Sequence, residues 1–275
     1  MTDYRIAIAM WDGIEELDLA GPYEVLTAWA RSSERSITVA TYAADGAIVT
    51  EPTELEIAIS HKGFVWIEIE TRGRAAHGSR PHLGIDAIAK MGPILTGLDQ
   101  LDRRLRADPR HPLLGSGSVH ASIIAGGQEL SSYPAHCRLM AERRTIPGET
   151  PDLVGREIAG IITAAGEGTP DLDATYTVGF ARDPFEVDAG DPIVVAVREQ
   201  ARRRLGREPR VYGETYWADS GLIAGAGIPA LLFGPGGAGA HAAEEWADLD
   251  QLEACVDVLV AVAKEFCGEA AGRLP

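Results

Sequence analysis

KGFVWIEIETRG, residues 62–73, alternates apolar and polar side chains almost without a break. A period of two is the mark of a strand with one covered face. Downstream, GIDAIAKMGPILTGLDQLDRRLRA (84–107) has helical spacing, with Gly92-Pro93 as a place for a kink. SVHASIIAGG (118–127) and HCRLMAERRTI (136–146) then form a pair of strands. DLVGREIAGIITAAGEG (152–168) is a second helix, and LDATYTVGF (172–180) is a closing strand. The order β-α-β-β-α-β is that of a ferredoxin-like unit, an antiparallel sheet with two helices on one face.

Outside this unit the pattern is that of an α/β layer. YRIAIAMW (4–11), YEVLTAWAR (23–31) and SITVATYA (36–43) make a β-α-β start, and AIVT (47–50) follows a turn. After the ferredoxin-like unit come a helix over 191–206 with a glycine stop, a short helix over 220–226, the buried strand PALLFGPGG and a last helix over 249–266. The chain therefore divides into a β-α-β start (1–44), an α/β portion (45–61 and 179–275) and an inserted α+β domain (62–178).

Bulk numbers narrow the function. The 275 residues suffice for one large domain or two modest ones. A net charge of −16 argues against nucleic acid or an anionic membrane as the main partner. No apolar run approaches the ~18 residues of a membrane span. No basic segment followed by an apolar one opens the chain, so no signal peptide is expected. Three cysteines (Cys137, Cys255 and Cys267), with no CxxC spacing, read as reduced thiols in a cytoplasmic protein.

Four clusters could carry chemistry. They are Glu51-Pro52-Thr53, the loop around His77, Glu142-Arg143-Arg144 with Pro147-Gly148-Glu149, and Gly234-Pro235-Gly236 leading to His241, Glu244 and Glu245. Each has a plain reading by itself: a carboxylate closing a strand before proline, a hydrogen-bonding loop histidine, a solvated strand edge, a turn. Together they suggest a site at strand ends, where α/β layers place ligands.

From about residue 45 onward the chain resembles the M20 family of metallopeptidases and amidohydrolases, and acetylornithine deacetylase-like members in particular. TEPT, HKGFVWIEIETRGRAAHGSRPHLGIDAI, ERRTIPGE, GIPALLFGPGG and GAHAAEEW carry the resemblance, in the family's order. It implies a three-layer α/β domain, here truncated, with an inserted ferredoxin-like lid that makes a homodimer. It implies hydrolysis of an amide bond in N-acyl amino acids or small peptides, with zinc or cobalt as cofactor. Glu51 matches a ligand of one metal ion and His241 a ligand of the other. His77 matches the lid histidine that reaches the partner's active site and stabilises the oxyanion. Arg144 matches the lid arginine that holds the substrate carboxylate, and Gly234, Pro235 and Gly236 the loop lining the pocket. Glu245 suits an outer partner that orients a metal ligand.

The sequence also departs from that pattern. The family's His-x-Asp motif, bridging aspartate and Glu-Glu pair precede the EPT motif, yet the first 50 residues contain no histidine. Those residues instead resemble the start of the DJ-1/PfpI superfamily, isonitrile hydratase-like members above all, through Glu15-Glu16-Leu17-Asp18 and AGPYEVL. That superfamily's nucleophilic cysteine is missing from the position it should occupy. The expectation is a chimeric chain with impaired hydrolase activity. The alternatives are a non-catalytic relic that keeps the dimerisation lid and, behind it, a DJ-1-like hydratase.

Overall fold

The computed structural model describes residues 46–239 and 242–270, preceded by two short strands; side chains are described within 46–265. Strands β1 (Tyr4–Ala7) and β2 (Ile37–Ala40) pair in parallel, as a β-α-β start requires. The helix expected between them lies outside the described residues, as do Asp12, Glu15, Glu16 and Asp18.

The chain forms two compact units. One comprises Met1–Ile59, Glu186–Tyr212 and Ala218–Pro275, and the other Ser60–Phe185 and Gly213–Trp217. The first begins its described part with β3 (Ala47–Val49) and most of β4 (Ile57–His61). All five residues of β4 are buried, so its apolar run shows no alternation and was not legible as a strand.

The second unit is the ferredoxin-like domain. Strand β5 (Gly63–Arg72) leads to helix α1 (Ala87–Ala107), which passes through Pro93 as one helix. The Asp86 carboxylate accepts from the Ala89 amide at 2.9 Å and caps its start. Strands β6 (Ser118–Gly126) and β7 (His136–Thr145) follow, then helix α2 (Pro151–Gly168), opened by Thr150 as N-cap and Pro151 in the first turn. Strand β8 (Asp173–Arg182) closes the unit. The sheet is antiparallel throughout, in the order β6-β7-β5-β8. Val65, Ile67 and Ile69 of β5 and Cys137, Leu139 and Ala141 of β7 pack with Met91, Ile94 and Leu98 of α1 and with Val154 and Ile158 of α2. Both helices therefore cover one face, and Phe64, Trp66, Glu142 and Arg144 lie on the other.

After β9 (Phe185–Glu186) come α3 (Pro192–Leu205), β10 (Val211–Glu214), whose last two residues belong to the second unit, α4 (Ser220–Gly225) and β11 (Ala230–Leu232). Helix α3 ends at Gly206, whose φ of 66° is the left-handed stop that the sequence anticipates. The pair β12 (Gly237–Ala238) and β13 (Trp246–Ala247) precedes α5 (Leu249–Ala270). The sheet order is β10-β4-β11-β3, with β9 on β4 and with β3 and β11 parallel. Ile57, Ile59, Leu231 and Phe233 meet Val194 and Val197 of α3 and Val258 and Val262 of α5 on one face. The short α4 packs against β11 and β3. No helix among the described residues is long and apolar enough to cross a membrane.

Candidate functional site

Glu51 follows β3 and Gly234 follows β11. Because these strands are parallel, both residues sit at the same, carboxyl end of the sheet. Two turns of backbone join there. Thr53 is buried; its hydroxyl donates to the Glu56 carbonyl at 2.7 Å and accepts from the Gly234 amide at 3.0 Å. The Leu55 amide donates to the Gly234 carbonyl at 2.9 Å. Glu54 and Leu55 hold φ of 55° and 60°, an uncommon conformation for residues with side chains, and it turns the chain back into β4. A Cβ on Gly234 would lie 2.3 Å from the Glu51 carbonyl oxygen, so only glycine allows the two loops to touch. The Gly236 amide donates to Gln251 Oε1 at 2.8 Å, which fixes the loop to the start of α5.

The EPT and GPG motifs are therefore one structural element. Glu51 is half-buried and Pro235 lies in the middle of the joined loop. Glu245 is exposed just before β13. His241 lies outside the described residues. Among the described residues no group of three or more His, Cys, Asp or Glu side chains could hold a metal ion. Zinc sites use three or four protein ligands. The described residues thus do not by themselves fit zinc or cobalt, and Glu51 brings a single carboxylate to this end of the sheet.

The other two expected residues belong to the ferredoxin-like unit. His77 is exposed in the loop between β5 and α1, where its Nδ1 lies 2.8 Å from Ser79 Oγ and accepts from the Ser79 amide at 3.2 Å. A bridge to Ser132 and the bond from the Gly78 amide to the Ser131 carbonyl hold the loop against the segment before β7. The Glu129 carboxyl is held below its usual value by hydrogen bonds from the Ser132 side chain and the Ser131 amide, with a smaller contribution from His77.

The two neighbouring arginines of β7 have different surroundings. Arg143 points to the helix side and is fully buried. Its Nη2 and Nη1 meet Glu149 at 2.8 and 3.1 Å, and its Nε and Nη2 meet Glu157 at 3.1 and 3.4 Å. Nη1 also donates to the Arg144 carbonyl, so all five N–H groups are engaged. Burial alone would pull its pKa down; the hydrogen bonds and charges of Glu149 and Glu157 outweigh that and hold it above the ordinary value. Arg144 lies on the open sheet face, 2.7 Å from Glu142 and stacked 5.4 Å from the Phe64 ring centroid. Of the two, only Arg144 is placed to meet a ligand.

Cys137 and Cys255 are buried, and burial pushes both thiols above the usual range. Burial thus disfavours the thiolate form at both.

Comparison with known proteins agrees with this architecture. Residues 59–170 match the M20 peptidase dimerisation domain. The chain is 29% identical over 230 residues to an acetylornithine deacetylase of Myxococcus xanthus, covering 81% of this chain and 58% of that one. It is 26% identical over 251 residues to N-formyl-4-amino-5-aminomethyl-2-methylpyrimidine deformylase of Bacillus subtilis, covering 82% and 59%. A tripeptidase from Staphylococcus aureus superposes with a TM-score of 0.67 at 19% identity, over 80% of this chain and 57% of that one. Aminopeptidase PepT of Bacillus cereus gives 0.65 at 18% identity, over 88% and 61%. The chain spans less than two thirds of the length of each of these relatives. About four fifths of the chain is thus similar to these enzymes, with the match to the M20 peptidase dimerisation domain confined to residues 59–170.

Proposed function

We propose that the chain is an M20-type hydrolase of amide bonds in N-acyl amino acids or small peptides, with weak turnover. The observation that carries this is the joined Glu51–Gly234 element at the carboxyl end of a parallel strand pair, in a chain whose residues 59–170 match the peptidase dimerisation domain. Glu51 and His241 are the proposed ligands for zinc or cobalt, and further ligands have to come from outside the described residues. His77 and Arg144 are the proposed oxyanion and carboxylate contacts, with Glu245 as an outer support for His241. Buried free thiols at Cys137 and Cys255 suit a cytoplasmic setting.

The lid is proposed to form a homodimer through β6. This strand is an edge of its sheet, and its Ile123 and Ile124 are 60% and 51% exposed, with the exposed Ile88 of α1 beside Gly126 at its end. A bare edge with apolar side chains is an invitation to pair.

The second reading, a non-catalytic chain that keeps this lid, is favoured by the lack of a three-residue ligand group among the described residues. The two readings separate in one assay: turnover of acetylornithine with added zinc or cobalt, in the chain as it stands and in His241→Ala. Slow, metal-dependent turnover abolished by the substitution supports the hydrolase. No turnover with either metal supports the second reading, and turnover indifferent to metal and to His241 would count against both. Rapid turnover lost in His241→Ala would show that the ligand set is complete after all.

A further inference from the structure

The open face of the lid sheet carries two ordered rows. In the first, Phe64 of β5 stands directly between Arg144 of β7 and Arg182 of β8, its partner on either side. In the second, Trp66 stands opposite Glu142, with Phe180 on the other flank. The three rings form one cluster, with centroids 5.5 Å apart for Phe64–Trp66, 5.9 Å for Phe64–Phe180 and 5.4 Å for Trp66–Phe180. Trp66 and Phe180 are each 46% exposed. Every residue of both rows belongs to one compact unit.

The two arginines differ in what neutralises them. Arg144 is held by Glu142 at 2.7 Å, and the same carboxylate accepts from Trp66 Nε1 at 3.1 Å. Arg182 has no carboxylate within ion-pair distance among the described residues; its Nη1 reaches only the Ala181 carbonyl, at 3.4 Å. Its guanidinium lies 4.2 Å from the centroid of Phe180 and 5.4 Å from that of Trp217. Stacking fixes the plane of a guanidinium and leaves its N–H groups pointing outward along that plane. In a chain with 41 acidic and 25 basic residues, Arg182 is thus a stacked arginine with no carboxylate in ion-pair reach among the described residues.

We propose that this face binds an aromatic carboxylate. The Arg182 guanidinium takes the carboxylate as a two-point charge-assisted contact, and the Phe64–Trp66–Phe180 cluster takes the ring by offset stacking. Arg144, already engaged by Glu142, sets the positive side of the field without being the main contact. The proposal goes beyond the hydrolase reading and does not need it, because binding here requires no metal and no turnover.

The test is calorimetric titration of the full chain, in chelator, with N-acetylphenylalanine, N-acetylphenylalanine amide and N-acetylalanine. The acid with the ring should bind at least about tenfold more tightly than either of the others, the effect expected of a hydrogen-bonded charge pair. Arg182→Gln should remove the preference for acid over amide and leave the weak binding of the ring. Trp66→Ala, at a half-exposed position, should remove the preference for phenylalanine over alanine and keep that for acid over amide. Equal binding of acid and amide, or no binding of N-acetylphenylalanine at millimolar concentration, overturns the proposal. So does an Arg182→Gln chain with the parent's melting temperature and the parent's preference. Should Arg182→Gln fail to fold, Trp66→Ala and the amide comparison decide alone.

Discussion

Replacing Arg143 by methionine removes the cation that pairs with both Glu149 and Glu157. The side chain has no exposed surface, and its two partners are only 11% and 19% exposed. Both carboxylates would lose their directly paired counter-charge, and the Arg144 carbonyl would lose a donor. Breaking a buried pair in this way costs about 3–5 kcal/mol, because the residual charges remain poorly solvated. Escape by deprotonation of the arginine is closed in the parent, where the two glutamates hold its proton more firmly than usual. Hydrogen exchange at the amides of β5 and β7 reports the stability of this unit without requiring the whole chain to unfold together. Arg143→Met should therefore lower their protection by about two to three and a half decades, at roughly 1.4 kcal/mol per decade. Arg143→Lys should recover only part of the loss, since an ammonium cannot fork onto two carboxylates. Glu157→Gln should cost less than Arg143→Met, because the Glu149 fork survives. A loss below about 1 kcal/mol in Arg143→Met would refute the assignment of this arginine as the central tie of the lid.

Three further outcomes follow from particular contacts. Gly234→Ala forces a Cβ to 2.3 Å from the Glu51 carbonyl and disturbs the bonds to Thr53 and Leu55, so it should destabilise its unit by about 2–4 kcal/mol in urea melts; a change within about 0.5 kcal/mol would show that the loops do not touch. Lys62 is held below its ordinary value of 10.5 by burial first and then by Arg144, and its ammonium donates to the Ser116 carbonyl at 2.7 Å. In the window between its lowered folded pKa and 10.5 the unfolded chain binds the extra proton, so this residue makes stability rise with pH; Lys62→Met should lack that rise, and parallel pH profiles for the two chains would contradict the shift. Ile124→Lys on the β6 edge should convert a dimer to a monomer in light scattering at micromolar concentration, and a parent that is already monomeric would remove the β6 interface.

The ferredoxin-like unit is legible because its signals are local. Period-two strands, helical spacing and capping residues all act within a few positions, and the expected order of elements is the observed one. The α/β unit was harder. Strand β4 is buried on both faces and gives no alternation, and β10 is four residues long. The bonds that make one element of Thr53 and Gly234 join residues 181 positions apart, beyond the reach of any spacing rule. The roles of Arg143 and Arg144 were within reach, since Leu139 and Ala141 set the parity of β7 and place residue 143 inward. Arg182 is not legible in the sequence because FARDPF holds no motif; its meaning comes from Phe64 on the neighbouring β5 and from Trp217.

The division of the first unit into three stretches of sequence has a consequence for synthesis. The second unit is almost continuous from Ser60 to Phe185, whereas the first needs Leu231 and Leu232 before β3 has its parallel neighbour. Closing so long a loop is entropically slow, and nothing offsets the ordering of β3 until β11 arrives. On the ribosome the lid should therefore fold while Ile48 and its apolar neighbours wait unpaired, a species open to wrong pairing. Pulse-labelled hydrogen exchange during refolding should protect β5 and β7 well before β3, and simultaneous protection would rule out this order of events.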